Sequence, residues 1–126
     1  MIKALVVDDE RDTELLFVQK FRKEIRGNEI EFHFTFSGEE AEKYLLALNP
    51  VDIVLVLSDI NMPGMSGLEL LIIIKQKYPQ LKVIMVKAYD DYTNKEDSDK
   101  LGADGFVNKP VNFDELKNII DNLVQA

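Results

Sequence analysis

Ile53-Val54-Leu55-Val56-Leu57-Ser58-Asp59-Ile60-Asn61-Met62-Pro63-Gly64 is the stretch on which the fold turns. An almost unbroken apolar run ends in a carboxylate, Asp59, and then in a turn marked by Pro63 and Gly64. A short continuous apolar run bounded by turn residues reads as a strand buried on both faces. Two other strand-like segments end in charge in the same way. Ala4-Leu5-Val6-Val7 runs into Asp8-Asp9, and Gly105-Phe106-Val107-Asn108 runs into Lys109-Pro110. Three acids and a lysine therefore converge on one edge of one sheet.

Working outward, short strands alternate with helices of ordinary length. A first strand, Ile2 to Val7, precedes a helix from about Thr13 to Ile25 whose Leu15, Val18, Phe21 and Ile25 fall on one face. Glu31 to Phe36 alternates, with Phe32, Phe34 and Phe36 on one side and Glu31, His33 and Thr35 on the other, as expected of an edge strand with one wet face. Ser37 with Glu40 is a capping-box signature ahead of Ala41, Tyr44, Leu45 and Leu48, and Ser66 with Glu69 repeats it ahead of Leu68, Leu71 and Ile72. Val83 to Val86 and Gly105 to Val107 supply two more strands. Asn112 with Glu115 caps a last helix carrying Phe113, Leu116, Ile119, Ile120 and Leu123. Strict alternation of strand and helix implies an α/β fold, a doubly wound five-stranded parallel sheet with helices on both faces. In such sheets ligands bind beyond the carboxyl ends of the strands, where the winding reverses. Asp8, Asp9, Asp59 and Lys109 all lie at carboxyl ends.

Composition narrows the function. The 126 residues fit a single domain spanning 1–126, and 46% hydrophobic content is enough for a core. The chain has no cysteine, which removes disulfides and thiolate chemistry. No apolar stretch is long enough to span a bilayer, so no membrane partner and a cytoplasmic location are expected. A net charge of −8 argues against direct contact with nucleic acid. The cationic stretch from Lys20 to Arg26 is interrupted by Phe21, Glu24 and Ile25 and reads as a solvated helix face.

Clustered carboxylates repel one another and call for a cation, and an all-oxygen site suits a hard ion such as Mg²⁺. With a metal present, a carboxylate can act as nucleophile toward phosphorus while metal and ammonium neutralise the transferred oxygens. The pattern proposes an aspartyl phosphate. Singly, Asp8-Asp9 would serve as a helix cap, Asp59 as a turn former and Lys109 as a surface residue. Their coincidence at three strand ends favours the functional reading.

At these residues the chain resembles the receiver domain of two-component response regulators. The resemblance rests on Val7-Asp8-Asp9-Glu10, on Ser58 to Gly64 with Gly67, and on Gly102 to Pro110, and extends over essentially the whole chain. It implies the flavodoxin-like strand order 2-1-3-4-5. It also implies phosphoryl transfer to Asp59 from a histidine kinase or phosphotransfer protein, with Mg²⁺ held by Asp9, Asp59, the backbone carbonyl of Asn61 and, through water, Asp8. Lys109 would pair with the phosphoryl group, the Lys109-Pro110 peptide would be cis, and Phe106 would be the aromatic switch. Beyond its own phosphorylation and dephosphorylation the chain would not be an enzyme, and its output would pass to a downstream protein effector. The oligomeric state is left open, a homodimer included. A carboxylate-nucleophile phosphatase is disfavoured by the lack of a cap domain or a pocket beyond the phosphoryl site. A flavin carrier is disfavoured by the acidic first turn, Asp8 to Asp12.

Two departures from the family pattern stand out. Between Asp90 and Lys100 only one clear apolar anchor is present, which predicts a short, frayed or mobile fourth helix. Lys87 occupies the place of a Ser or Thr whose hydroxyl would bond a phosphoryl oxygen. Its ammonium could pair with Asp59 and lock the domain as a constitutive interaction module, or its stem could carry the charge to solvent. At ~6 Å from Mg²⁺ an ammonium is repelled by roughly 5 kcal/mol at an effective dielectric of 20 and about 1.4 kcal/mol in bulk water. Lys87→Thr is therefore expected to raise Mg²⁺ affinity and phosphorylation, and an unchanged metal titration would remove the repulsion argument.

Overall fold

The structure, a computed structural model, describes residues 1–48, 51–88 and 99–125. Five strands, β1 (Ile2–Val7), β2 (Ile30–Thr35), β3 (Leu55–Asp59), β4 (Lys82–Lys87) and β5 (Gly105–Asn108), form one sheet in the order β2-β1-β3-β4-β5. Every pairing is parallel. The helices are α1 (Asp12–Lys20), α2 (Arg22–Arg26), α3 (Gly38–Ala47), α4 (Gly67–Lys77) and α5 (Phe113–Gln125). This is the flavodoxin-like arrangement.

Alternation along each strand sends successive side chains to opposite faces. Leu5, Val7, Val56, Val83 and Met85 pack with Ala41, Leu45, Leu70, Leu71 and Ile74 of α3 and α4. Ala4, Val6, Leu57, Ile84 and Val86 pack on the other face with Phe17, Phe21, Leu116 and Ile120. The central strands are thus covered twice, which is why they read as continuous apolar runs.

The three expected N-caps form. Ser37, Ser66 and Asn112 accept from the backbone N–H of Glu40, Glu69 and Glu115 at 3.0, 3.2 and 3.1 Å. The return bond of the first box differs, because Glu40 Oε2 accepts from Phe36 N rather than from Ser37.

Two expectations are corrected. The first helix is broken at Phe21, whose φ of −104° and ψ of 19° separate α1 from α2. Its buried face is Phe17 and Phe21, whereas Leu15 is 74% and Val18 45% exposed. Leu15-Leu16-Phe17-Val18 is apolar in every phase, so periodicity could not choose. The choice is made by the aromatic cluster in which Phe17 meets Phe32, Phe34 and Phe113 edge-on at centroid distances of 5.5, 6.2 and 5.2 Å. On β2, Thr35 is buried rather than wet, and its Oγ1 donates to Val6 O at 3.1 Å. His33 is exposed as expected, stacked on Tyr44. The helix expected between Asp90 and Lys100 lies outside the described residues, apart from Asp99 and Lys100, which are helical.

Gly67 is where α4 meets the sheet edge. Its N–H donates to Ile60 O at 2.8 Å, and a Cβ built there would lie 2.0 Å from Asp59 O and 2.8 Å from Ile60 Cα. Only glycine allows this approach. Gly67→Ala must displace backbone, and a loss of about 1 to 3 kcal/mol is expected in chemical denaturation. Stability within about 0.5 kcal/mol of the parent would show that the contact is not a constraint.

Candidate phosphoacceptor and metal site

Asp59 is the last residue of β3. The next N–H, that of Ile60, donates to Val86 O at 3.0 Å, so β4 holds the chain where the strand ends. Asp8 follows β1, the neighbour of β3, and Lys109 directly follows β5 and precedes the cis Lys109-Pro110 peptide. Lys109 N donates to the Lys87 carbonyl at 2.8 Å. Three strands thus fix three charges by main-chain bonds.

Asp59 is buried, and its Oδ2 accepts from Lys109 Nζ at 2.9 Å. The same ammonium stands 3.5 Å from Asp8 Oδ2 and 3.7 Å from Glu10 Oε1. Asp8 is buried too, and both its oxygens are engaged. Oδ1 accepts from Glu10 N at 2.9 Å and Oδ2 from Thr13 Oγ1 at 3.0 Å. Asp9 is exposed at the rim. Carboxylate oxygens of Asp8, Asp9 and Asp59 lie within 4.8 Å of one another. That spacing fits carboxylates grouped around one hard cation at Mg–O distances of about 2.0 to 2.1 Å. Asn61, whose carbonyl was expected to ligate, is exposed in the β3–α4 loop, and its backbone N–H bonds Asp59.

Burial lifts the Asp59 pKa above its ordinary 3.8, outweighing the hydrogen bond and charge of Lys109, and the neighbouring Asp8 charge adds to the rise. Burial alone would lower Lys109. Its bond to Asp59 and the charges of Asp59, Asp8 and Glu10 prevail and raise it above 10.5. Burial is thus the main reason Asp59 holds its proton more tightly, and Lys109 offsets only part of it.

Lys87 is only 5% exposed, so of the two alternatives the one in which its stem carries the charge to solvent is corrected. Its Nζ lies 5.4 Å from the ring centroid of Phe106, a half-buried residue of β5. The ammonium bonded to Asp59 is that of Lys109. Sequence reasoning missed Thr13 and Glu10 as partners of Asp8 and Lys109, since nothing in their spacing announces a side-chain contact. It also missed a cavity of about 480 Å³ that opens from Asp8, Asp59 and Lys109 onto Leu57, Val86 and Phe113. The expectation of no pocket beyond the phosphoryl position is corrected by it.

The raised Asp59 pKa has a consequence for stability. The folded state binds this proton more tightly than the unfolded chain, so between 3.8 and the raised value the group's contribution to stability falls as pH rises. In divalent-free buffer, the stability of the parent relative to Asp59→Asn is expected to increase as pH falls through that window. A difference independent of pH, measured by denaturant titration, would contradict the cause assigned to the shift.

Known proteins share the sequence pattern and the fold. The profile of the response regulator receiver domain matches residues 4–121. Response regulator protein PilR of Pseudomonas aeruginosa is 36% identical over 119 residues, covering 94% of this chain and 25% of that protein. Heme response regulator HssR of Staphylococcus haemolyticus is 40% identical over 116 residues, covering 92% of this chain and 48% of that protein. The chain spans about half or less of the curated relatives it matches. Response regulator protein TrrA of Thermotoga maritima, solved in complex with Mg²⁺-BeF, superposes with a TM-score of 0.82 at 36% identity, covering 98% of this chain and 100% of that one. With strand order, acid cluster and family profile in agreement, the chain belongs to the receiver domains of two-component response regulators.

Proposed function

We propose that residues 1–126 form one receiver domain that works as a phosphorylation-driven switch, with Asp59 as the phosphoacceptor. The observation that carries this is a buried carboxylate at a strand end, bonded to Lys109 at 2.9 Å and grouped with the oxygens of Asp8 and Asp9. An Asp59 oxygen would attack the phosphorus of a phosphohistidine on a kinase or phosphotransfer protein. The new O–P bond forms as the N–P bond breaks, and the imidazole leaves with the electron pair and takes up a proton. Lys109 is placed to follow the transferred oxygens, since it already reaches Asp59 and Asp8.

The residues fit Mg²⁺, which when bound would neutralise charge on the phosphoryl oxygens. Asp59, exposed Asp9 and the Asn61 carbonyl would hold it directly. Asp8, whose oxygens are already engaged, suits contact through a water. The Mg²⁺-BeF complex of TrrA supports the same chemistry here. The output would be a changed surface read by a protein effector, separate or joined in a longer chain. Among the described residues no helix is long and apolar enough to cross a membrane. A domain locked by a Lys87–Asp59 pair gains no support from a geometry in which Lys109 bonds Asp59 and the Lys87 ammonium faces Phe106.

Intact mass after incubation with a small acyl phosphate and Mg²⁺ tests the reading. The parent is expected to gain one phosphoryl group, Asp59→Ala none, and chelation of the metal to suppress the gain. Equal gain by Asp59→Ala, or none by the parent, would overturn it.

A further inference from the structure

We propose that Thr13 is a positioning residue of the metal site, whose hydroxyl fixes the Asp8 carboxylate and keeps the Lys109 ammonium on Asp59. The proposal rests on the reading above, in which Asp8 meets the metal through a water. The backbone of Asp8 is held by β2, because Asp8 N donates to Thr35 O at 3.1 Å. Its side chain is held separately, by the start of α1. Oδ1 accepts from Glu10 N at 2.9 Å, and Oδ2 accepts from Thr13 Oγ1 at 3.0 Å. Thr13 is half-buried in the first turn of α1, where its own N–H donates to Glu10 O at 3.2 Å. A β-branched side chain has few choices of χ1 in a helix, so the helix presents this hydroxyl to Asp8 in a nearly fixed position.

An ionised carboxylate has about four acceptor positions, two on each oxygen. Glu10 N takes one on Oδ1 and the Thr13 hydroxyl one on Oδ2. The rest have two claimants: the water that would join Asp8 to the metal, and Lys109 Nζ, which stands 3.5 Å from Asp8 Oδ2 and 2.9 Å from Asp59 Oδ2. Asp8 is only 7% exposed, and a buried acceptor that loses its donor pays for the loss unless another donor is in reach. Without the Thr13 hydroxyl, that donor is Lys109. Its approach to Asp8 would lengthen the bond to Asp59 and place a full positive charge beside the water position, where it repels a divalent cation. The hydroxyl satisfies the same oxygen and adds no charge.

Binding of Mn²⁺ as the probe, followed by electron paramagnetic resonance in the parent, Thr13→Val and Thr13→Ser, tests this. Thr13→Val keeps the shape of the side chain and removes the donor, whereas Thr13→Ser keeps the donor. Loss of an outer partner of a metal ligand costs roughly 10- to 100-fold in affinity, and for a ligand acting through water a loss of about tenfold is expected in Thr13→Val. Thr13→Ser should stay close to the parent. Phosphorylation by a small acyl phosphate gives a second readout. In Thr13→Val the Mg²⁺ concentration for half the maximal rate should rise by the same factor as the Mn²⁺ dissociation constant, while the rate at saturating Mg²⁺ stays near the parent's. A merely structural role would lower the rate at every metal concentration. Parent-like Mn²⁺ affinity in Thr13→Val, equal weakening in Thr13→Ser, or a loss of rate that saturating Mg²⁺ does not restore overturns the proposal while leaving phosphorylation at Asp59 intact. Absence of Mn²⁺ binding by the parent overturns it together with the reading of the metal site.

Discussion

The rest of the structure depends on the confinement of like charges at the edge of a sheet that excludes water from them. Asp59 and Asp8 are buried side by side because β1 and β3 are neighbours, and both are reached by one ammonium, that of Lys109. In water such a pair would repel weakly, but near a low-dielectric wall the repulsion grows and the charged forms become costly. Lys109 offsets part of that cost and the Thr13 and Glu10 contacts to Asp8 another part. The grouping of Asp9 with the other two carboxylates is a geometry suited to a hard cation.

Rigidity keeps the acids from relaxing apart. The Asp59–Ile60 backbone is pressed from one side by Gly67 and tied on the other to Val86 O. The loop beyond it is anchored where Met65 N donates to Glu39 Oε2 at 3.1 Å, at the start of α3. At the opposite end of the sheet, Lys75 Nζ bonds Leu81 O at 2.9 Å and Asp104 Oδ2 at 2.7 Å, and the same carboxylate oxygen accepts from Val83 N at 2.8 Å. These ties join α4, β4 and the start of β5. Charged groups held on strands and short anchored loops keep a geometry that long loops would lose.

Lys87 changes the character of the site without changing its architecture. A hydroxyl at this place would be a neutral hydrogen-bonding group. An ammonium is a full charge whose preferred position depends on the charge nearby, and its seat against Phe106 shows one alternative to the acid side. The burial of Lys87 places that charge inside the protein's own field, where salt screens it little.

Sequence alone determined the order of the five strands, the positions of all three capped helix starts and the delivery of Asp8, Asp9, Asp59 and Lys109 to one edge. Each of these is a local signal: a period, a capping pair, or an apolar run that stops at a charge. Tertiary structure decided what local signals leave degenerate. The apolar run Leu15 to Val18 fits any phase of a helix, and only the aromatic cluster against β2 and α5 selects Phe17. Thr35 follows the polar side of its strand by alternation, yet it is buried because the Val6 carbonyl on the neighbouring strand accepts its proton. The direction of the Lys87 stem is a choice among rotamers, and in the folded chain it is buried with its ammonium near an aromatic ring nineteen positions away in the chain and one strand away in the sheet. Contacts between residues far apart in sequence have no period to betray them, and so they belong to the folded chain alone.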